Sequence, residues 1–107
     1  MAWTVQVKEA ALQHLRAFGK KTGRQLLEAA LEHLERDPLA ETKNLKTLHP
    51  NPVAQRELRL FGKYRVLFSV DEEEQTATII LVGEKVGNRL RVLGQEFSAH
   101  HESHPLE

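Results

Sequence analysis

The chain has 107 residues, no cysteine, and fifteen basic side chains balanced by fifteen acidic ones. That length suits one domain with a single modest core, and the missing thiols exclude disulfide staples and thiolate metal sites while fitting a reducing compartment. No apolar run approaches the ~20 residues of a membrane helix, and Met1-Ala2-Trp3-Thr4-Val5 lacks the basic and apolar regions of a secretory leader, so a soluble, cytoplasmic protein is expected.

Trp3–Val7 alternates apolar and polar residues and predicts a short opening strand. From Lys8 to Phe18, Ala11, Leu12, Leu15 and Phe18 recur at helical spacing. Gly19-Lys20-Lys21 breaks that pattern, and Thr22-Gly23-Arg24-Gln25 fits a capping box opening a second helix that runs to about Arg36, with Leu27, Ala30, Leu31 and Leu34 as its apolar stripe. Two amphipathic helices joined by a short link predict an antiparallel hairpin. Residues 38–52 read as an irregular loop ending in His49-Pro50-Asn51-Pro52, pinned to the core by Leu45 and Leu48. Strands are expected near Val53–Leu60, Tyr64–Val70 and Thr76–Val82, joined by turns short enough for an antiparallel meander. Leu90–Leu93 is a candidate terminal strand, and Gln95–His101 a turn of helix or a tail. One domain over residues 1–97 and a flexible tail over 98–107 are expected, with Leu106-Glu107 a possible cloning scar. The order β-α-α-β-β-β makes an α+β fold, its N-terminal strand and helical hairpin on one face of an antiparallel sheet.

The zero net charge hides segregation. Residues 43–65 carry Lys43, Lys46, Arg56, Arg59, Lys63 and Arg65 against one acid, Glu57, whereas residues 71–74 are all acidic. A basic middle of this kind either solvates strand faces or presents a local positive surface to phosphates. An arginine on a packed strand is a rigid, planar cation suited to a phosphate. His100, His101 and His104 have chelating spacing but no neighbouring cysteine, and no metal site is expected.

The run Arg56–Val70, R-E-L-R-L-F-G-K-Y-R-V-L-F-S-V, with the acidic turn Asp71-Glu72-Glu73-Glu74 and the following Val82-Gly83-Glu84-Lys85, resembles the RelE/ParE toxins of bacterial type II toxin–antitoxin systems, and the RelE branch in particular. The resemblance implies a RelE-like fold, a cognate antitoxin protein as partner, and ribosome-dependent cleavage of mRNA by 2′-hydroxyl attack, with no metal or other cofactor. It implies a catalytic role for Arg65, matching the family's strand arginine, and for Lys85, close to a family arginine at the end of the next strand. Lys43, Lys46, Arg56, Arg59, Lys63, Arg89 and Arg91 are the expected contacts to RNA backbone. Two departures stand out. The lysine pair of the RelE branch is replaced by Gln55-Arg56-Glu57-Leu58-Arg59, and its C-terminal tyrosine has no counterpart, since Tyr64 is the only tyrosine and its alternation turns it to the core. Arg89, Arg91, His100 and His101 remain open as replacements for the general base. The alternative the resemblance allows is a ParE-like inhibitor of DNA gyrase, or a catalytically weak relative serving as a protein-binding module; neither needs a general base.

Overall fold

The computed structural model describes residues 2–97; the proposed tail, the Leu106-Glu107 scar and the histidines at 100, 101 and 104 lie outside them. Two helices and seven strands follow in the order β1 (Thr4–Val7), α1 (Glu9–Ala17), α2 (Lys20–Arg36), β2 (Leu45–Thr47), β3 (Arg56–Leu60), β4 (Tyr64–Asp71), β5 (Thr76–Val86), β6 (Arg89–Val92) and β7 (Gln95–Phe97).

Helix α2 opens a turn earlier than the capping box implies. Its N-cap is Gly19, with φ at 96° and no side-chain cap, so Thr22 lies inside the helix. The earlier start follows from a two-residue link, Phe18-Gly19, in which glycine takes a backbone that a β-carbon disfavours. The buried stripe is Gly23, Leu26, Ala30 and Leu34, with the expected Leu27 and Leu31 only partly buried at its margin. Gly23 is where the two helices touch: a β-carbon built on it would lie 2.4 Å from the Leu15 carbonyl oxygen.

The expected meander is present as β3-β4-β5, extended at both ends into the path β2-β3-β4-β5-β6-β7. The loop before β3 is therefore not wholly irregular: Leu45–Thr47 pairs antiparallel with Arg56–Leu58. Gln95–Phe97 is a strand paired with β6, not a turn of helix. The sheet is mixed, because β1 runs parallel to the first half of β5, from Thr4 opposite Thr76 to Val7 opposite Ile79. β6 joins the same edge of β5 only from Glu84 onward. β6 falls on the candidate strand Leu90–Leu93, shifted by one residue, whereas β2 and β7, three residues each, are too short for period-2 reading to separate from loop.

Both sheet faces carry apolar clusters. Against the helices lie Leu45, Leu58, Leu60, Val66, Phe68, Ala77, Ile79 and Val82, fully buried with Ala11, Leu15, Leu26, Ala30 and Leu34. Tyr64 packs edge-on against Phe18, with ring centroids 5.2 Å apart. On the opposite face a smaller cluster of Ala54, Leu67 and Leu81 is covered in part by Leu48, Val53, Leu90 and Val92. β4 is thus buried on both sides over Arg65–Phe68, where simple alternation predicts a half-buried strand.

Between the end of β1 and the start of β6, β5 has a stretch of edge that no strand among the described residues pairs. His14, 8% exposed on α1, fills it: the Val82 amide donates to His14 Nδ1 at 3.2 Å. The ring must therefore be neutral, with its proton on Nε2. Burial pushes the His14 pKa below the ordinary imidazole value. A lowered folded-state pKa gives stability that is complete above the unfolded value of about 6.5 and is lost as pH falls through the folded value. Urea unfolding midpoints should therefore drop on acidification from neutral pH. His14→Gln, which keeps an acceptor but no titrating ring, should lose less over the same interval.

Candidate functional site

The face of the sheet opposite the helices is organised by strand register. Lys46 of β2 stands opposite Glu57 of β3, and Glu57 opposite Leu67 of β4. One row along, Arg59 stands opposite Arg65, and Arg65 opposite Gly83 of β5. Directly paired residues share a face, so Lys46, Glu57, Arg59 and Arg65 converge, and Lys85, two residues beyond Gly83, lies on that face at its exposed end.

Gly83 shapes the floor. A β-carbon there would meet the Arg91 carbonyl oxygen at 2.7 Å and the Leu90 and Val92 side chains at 3.1 Å. Its bare backbone lets β6 pack close beside the Arg65 row of the sheet.

Glu57 is the hub. Its carboxylate lies 3.9 Å from Lys46 Nζ, 3.6 Å from Arg59 Nε and 4.0 Å from Arg65 Nε, and its side chain is 14% exposed. These are charge contacts too long for good hydrogen bonds. The carboxylate holds two like-charged arginines side by side, an arrangement that repels without a counter-charge. Arg65 is buried, 7% exposed, and its Nη1 donates to the carbonyls of Gly62 at 2.9 Å and Tyr64 at 3.1 Å. Burial pushes its pKa down, Glu57 opposes that, and Arg59 adds to it, yet a guanidinium stays charged at physiological pH. Arg59 Nε is buried and without a hydrogen-bond partner among the described residues.

The other expected contacts are placed differently. Arg56 does not reach this face. Its position opposite Phe68 and Thr47 turns it to the helix side, where Nη1 donates to Glu41 Oε2 and Thr47 Oγ1, both at 2.9 Å, and Nη2 to the Ala40 carbonyl. The Arg56 guanidinium and the Thr47 hydroxyl hold the Glu41 carboxyl below the usual carboxylate range. The expected RNA contact at Arg56 thus gives way to a clamp on the loop before β2, because strand alternation sends Arg56 and Glu57 to opposite faces. Arg56→Ala should cost about 2–3 kcal/mol in urea unfolding, through lost charge-assisted bonds and a stranded carbonyl, with RNA affinity unchanged. Lys63 pairs with Glu84 at 3.1 Å and lies 5.3 Å from the Tyr64 ring centroid. Glu84 raises the Lys63 pKa. Lys43 sits exposed in the turn before β2. Arg91 is opposite Glu84, hence on the face away from Gly83, and donates to the Gly94 carbonyl at 3.2 Å. Arg89 is exposed at the start of β6. Sequence reasoning assigned no place in the site to Glu57; the available signal was its being the one acid in the basic 43–65 segment.

No family model and no curated relative matches the chain. Solved structures do. The RelBE2 toxin–antitoxin complex of Mycobacterium tuberculosis is 26% identical with a TM-score of 0.68, the match covering 79% of this chain and 93% of that one. The isolated RelE toxin of E. coli is 26% identical, covering 79% and 86%, with a TM-score of 0.61. The archaeal RelE–RelB complex of Pyrococcus horikoshii OT3 is 25% identical, covering 81% and 98%, with a TM-score of 0.62. In element order and sheet topology, and by these likenesses, the chain is similar to the RelE toxins of toxin–antitoxin systems and shares their fold.

Proposed function

We propose that this protein is a ribosome-dependent mRNA endoribonuclease, held inactive by a cognate antitoxin, and that the sheet face bearing Lys46, Glu57, Arg59, Arg65 and Lys85 cuts the RNA. The observation that carries the reading is the single carboxylate ringed by cations on the sheet face away from the helices. Arginines cannot accept a proton at physiological pH, whereas an ionised carboxylate can. Glu57 takes the proton of the ribose 2′-hydroxyl, whose oxygen attacks the adjacent phosphorus. The phosphorane gathers negative charge, which Arg59 and Arg65 neutralise from fixed positions. The P–O5′ bond then breaks, Lys85 supplies the proton to the departing 5′-oxygen, and a 2′,3′-cyclic phosphate remains. Dependence on RNA follows from the 2′-hydroxyl. The antitoxin reading is supported by two of the neighbours having been solved as toxin–antitoxin complexes.

The test is primer-extension mapping of mRNA in a translating extract supplied with the protein. Cleavage confined to mRNA on ribosomes, abolished by Arg65→Ala, is the expected result. Intact mRNA with gyrase-dependent DNA breaks would instead identify an inhibitor acting by protein contact.

A further inference from the structure

Strand β5 is weakly held just before it reaches the cationic face. Its pairing with β4 slips between Leu67 and Phe68: Leu67 stands opposite Leu81 and Phe68 opposite Ile79, so Ile80 has no partner on β4. A bulge of this kind disrupts the ladder locally and bends the strand. On the other edge β1 stops opposite Ile79, whose carbonyl accepts from the Lys8 amide at 2.9 Å, and β6 pairs only from Glu84 onward. Residues 80–83 thus lie between a bulge on one side and, among the described residues, no strand on the other. Into that stretch His14 reaches from α1, its Nδ1 accepting from the Val82 amide at 3.2 Å. The groups assigned to the chemistry follow at once. Val82 stands opposite Val66 and Gly83 opposite Arg65, and the Lys85 amide donates to the Lys63 carbonyl at 2.6 Å. The Arg65 guanidinium hangs from the Gly62 and Tyr64 carbonyls, and Tyr64 stands opposite Glu84 of β5. Glu57, 4.0 Å from Arg65 Nε, is too far to fix its direction. The aim of Arg65 therefore follows the placement of β5.

We infer that His14 is a positioning residue for the proposed cleavage: its imidazole latches β5 at Val82, and so fixes the aim of Arg65 on β4 and the placement of Lys85 on β5 itself. The effect on rate rests on the ribonuclease reading; the effect on geometry does not. The acceptor is carried by a packed helix, since Ala11 and Leu15 of α1 are buried in the core, and a side chain on such an element holds its partner more closely than one on a loop. Restricting residues 80–83 to one arrangement keeps the cations fixed, the condition under which they stabilise developing charge without reorganising. A misplacement of about 1 Å at the reacting groups can cost a hundredfold in rate, so a bond that never touches RNA can still set how fast RNA is cut.

The experiment compares the full chain with His14→Leu and His14→Gln at neutral pH by two readouts: NMR signals of the Arg65 Nε–H and of the Gly83 and Lys85 amides without RNA, and mRNA cleavage on ribosomes. His14→Leu fills the space but removes the acceptor. It should move all three signals and lower kcat about tenfold to a hundredfold, with KM within about twofold of wild type. His14→Gln, whose side-chain carbonyl can accept from Val82, should restore both the signals and the rate. Arg56→Ala controls for stability alone: it loosens the loop before β2 and should leave the Arg65 signal and kcat unchanged. Should His14→Leu not fold, His14→Met, whose flexible side chain fills irregular gaps, takes its place. Unmoved Arg65 signals in His14→Leu, a rate loss that His14→Gln does not recover, or a change in KM instead of kcat would overturn the inference. A wild type that cuts no mRNA, with the NMR signals moving and recovering as stated, would count against the ribonuclease reading and uphold the latch.

Discussion

Glu57→Gln is expected to slow mRNA cleavage about 10²–10³-fold under single-turnover conditions, the usual contribution of a positioned general base. The variant keeps the size of the side chain and removes both its charge and its basicity. A purely structural role for Glu57 makes a different forecast. If the carboxylate served only to keep Arg59 and Arg65 together, the loss would track thermal stability and leave the shape of the pH–rate profile intact. Loss of the acid limb of that profile, with mRNA binding retained, is the result a proton acceptor requires. Glu57→Asp separates the two further: the shorter acid retains basicity at a displaced position and should recover part of the rate. Wild-type rates for Glu57→Gln would leave Arg65 and Arg59 without a base and defeat the mechanism.

Gly23→Ala is expected to destabilise the fold by about 1–3 kcal/mol, the usual cost of forcing an atom into packed space. Helix propensity taken alone forecasts the reverse, since alanine in a helix interior is favoured over glycine by about 1 kcal/mol. Packing wins because the new β-carbon would sit 2.4 Å from the Leu15 carbonyl oxygen, a backbone atom that moves only if α1 moves. Thr22→Ala is the matched control. A true N-cap loses about 1 kcal/mol on conversion to alanine, whereas Thr22, inside the helix, should be neutral or gain a few tenths. Urea midpoints of the two variants decide both questions. Consequences for function follow from the same contact: α1 carries His14, whose ring caps the β5 edge at Val82, next to Gly83 and the cationic face.

Much of the architecture was legible in the order of residues. The periodicities of Trp3–Val7, Lys8–Phe18 and Tyr64–Val70, and the Phe61-Gly62 turn, are local features, and local features dictate element type where apolar spacing is regular. The same spacing placed Tyr64 inward and marked Arg65 as a strand cation. β2 and β7 were not read as strands, and β6 only as a candidate. They run three or four residues each, and their pairing comes from neighbours distant in sequence.

The candidate site divides in the same way. The 43–65 segment shows by composition alone that six cations surround one acid, and the run Arg56–Val70 carries the family likeness. Composition has no direction, however. Only the register of β3 between β2 and β4 sends Arg56 to the helix side as a loop clamp and Glu57 to the open side as the centre of the charge cluster. Period-2 alternation says that the two neighbours point opposite ways; which face is covered by helices is a property of the assembled chain. The sequence by itself thus determined most of the elements and the family likeness, while the tertiary structure decided which of the charged residues meet, because Lys46, Glu57 and Arg65, on three different strands, become neighbours only when the sheet has formed.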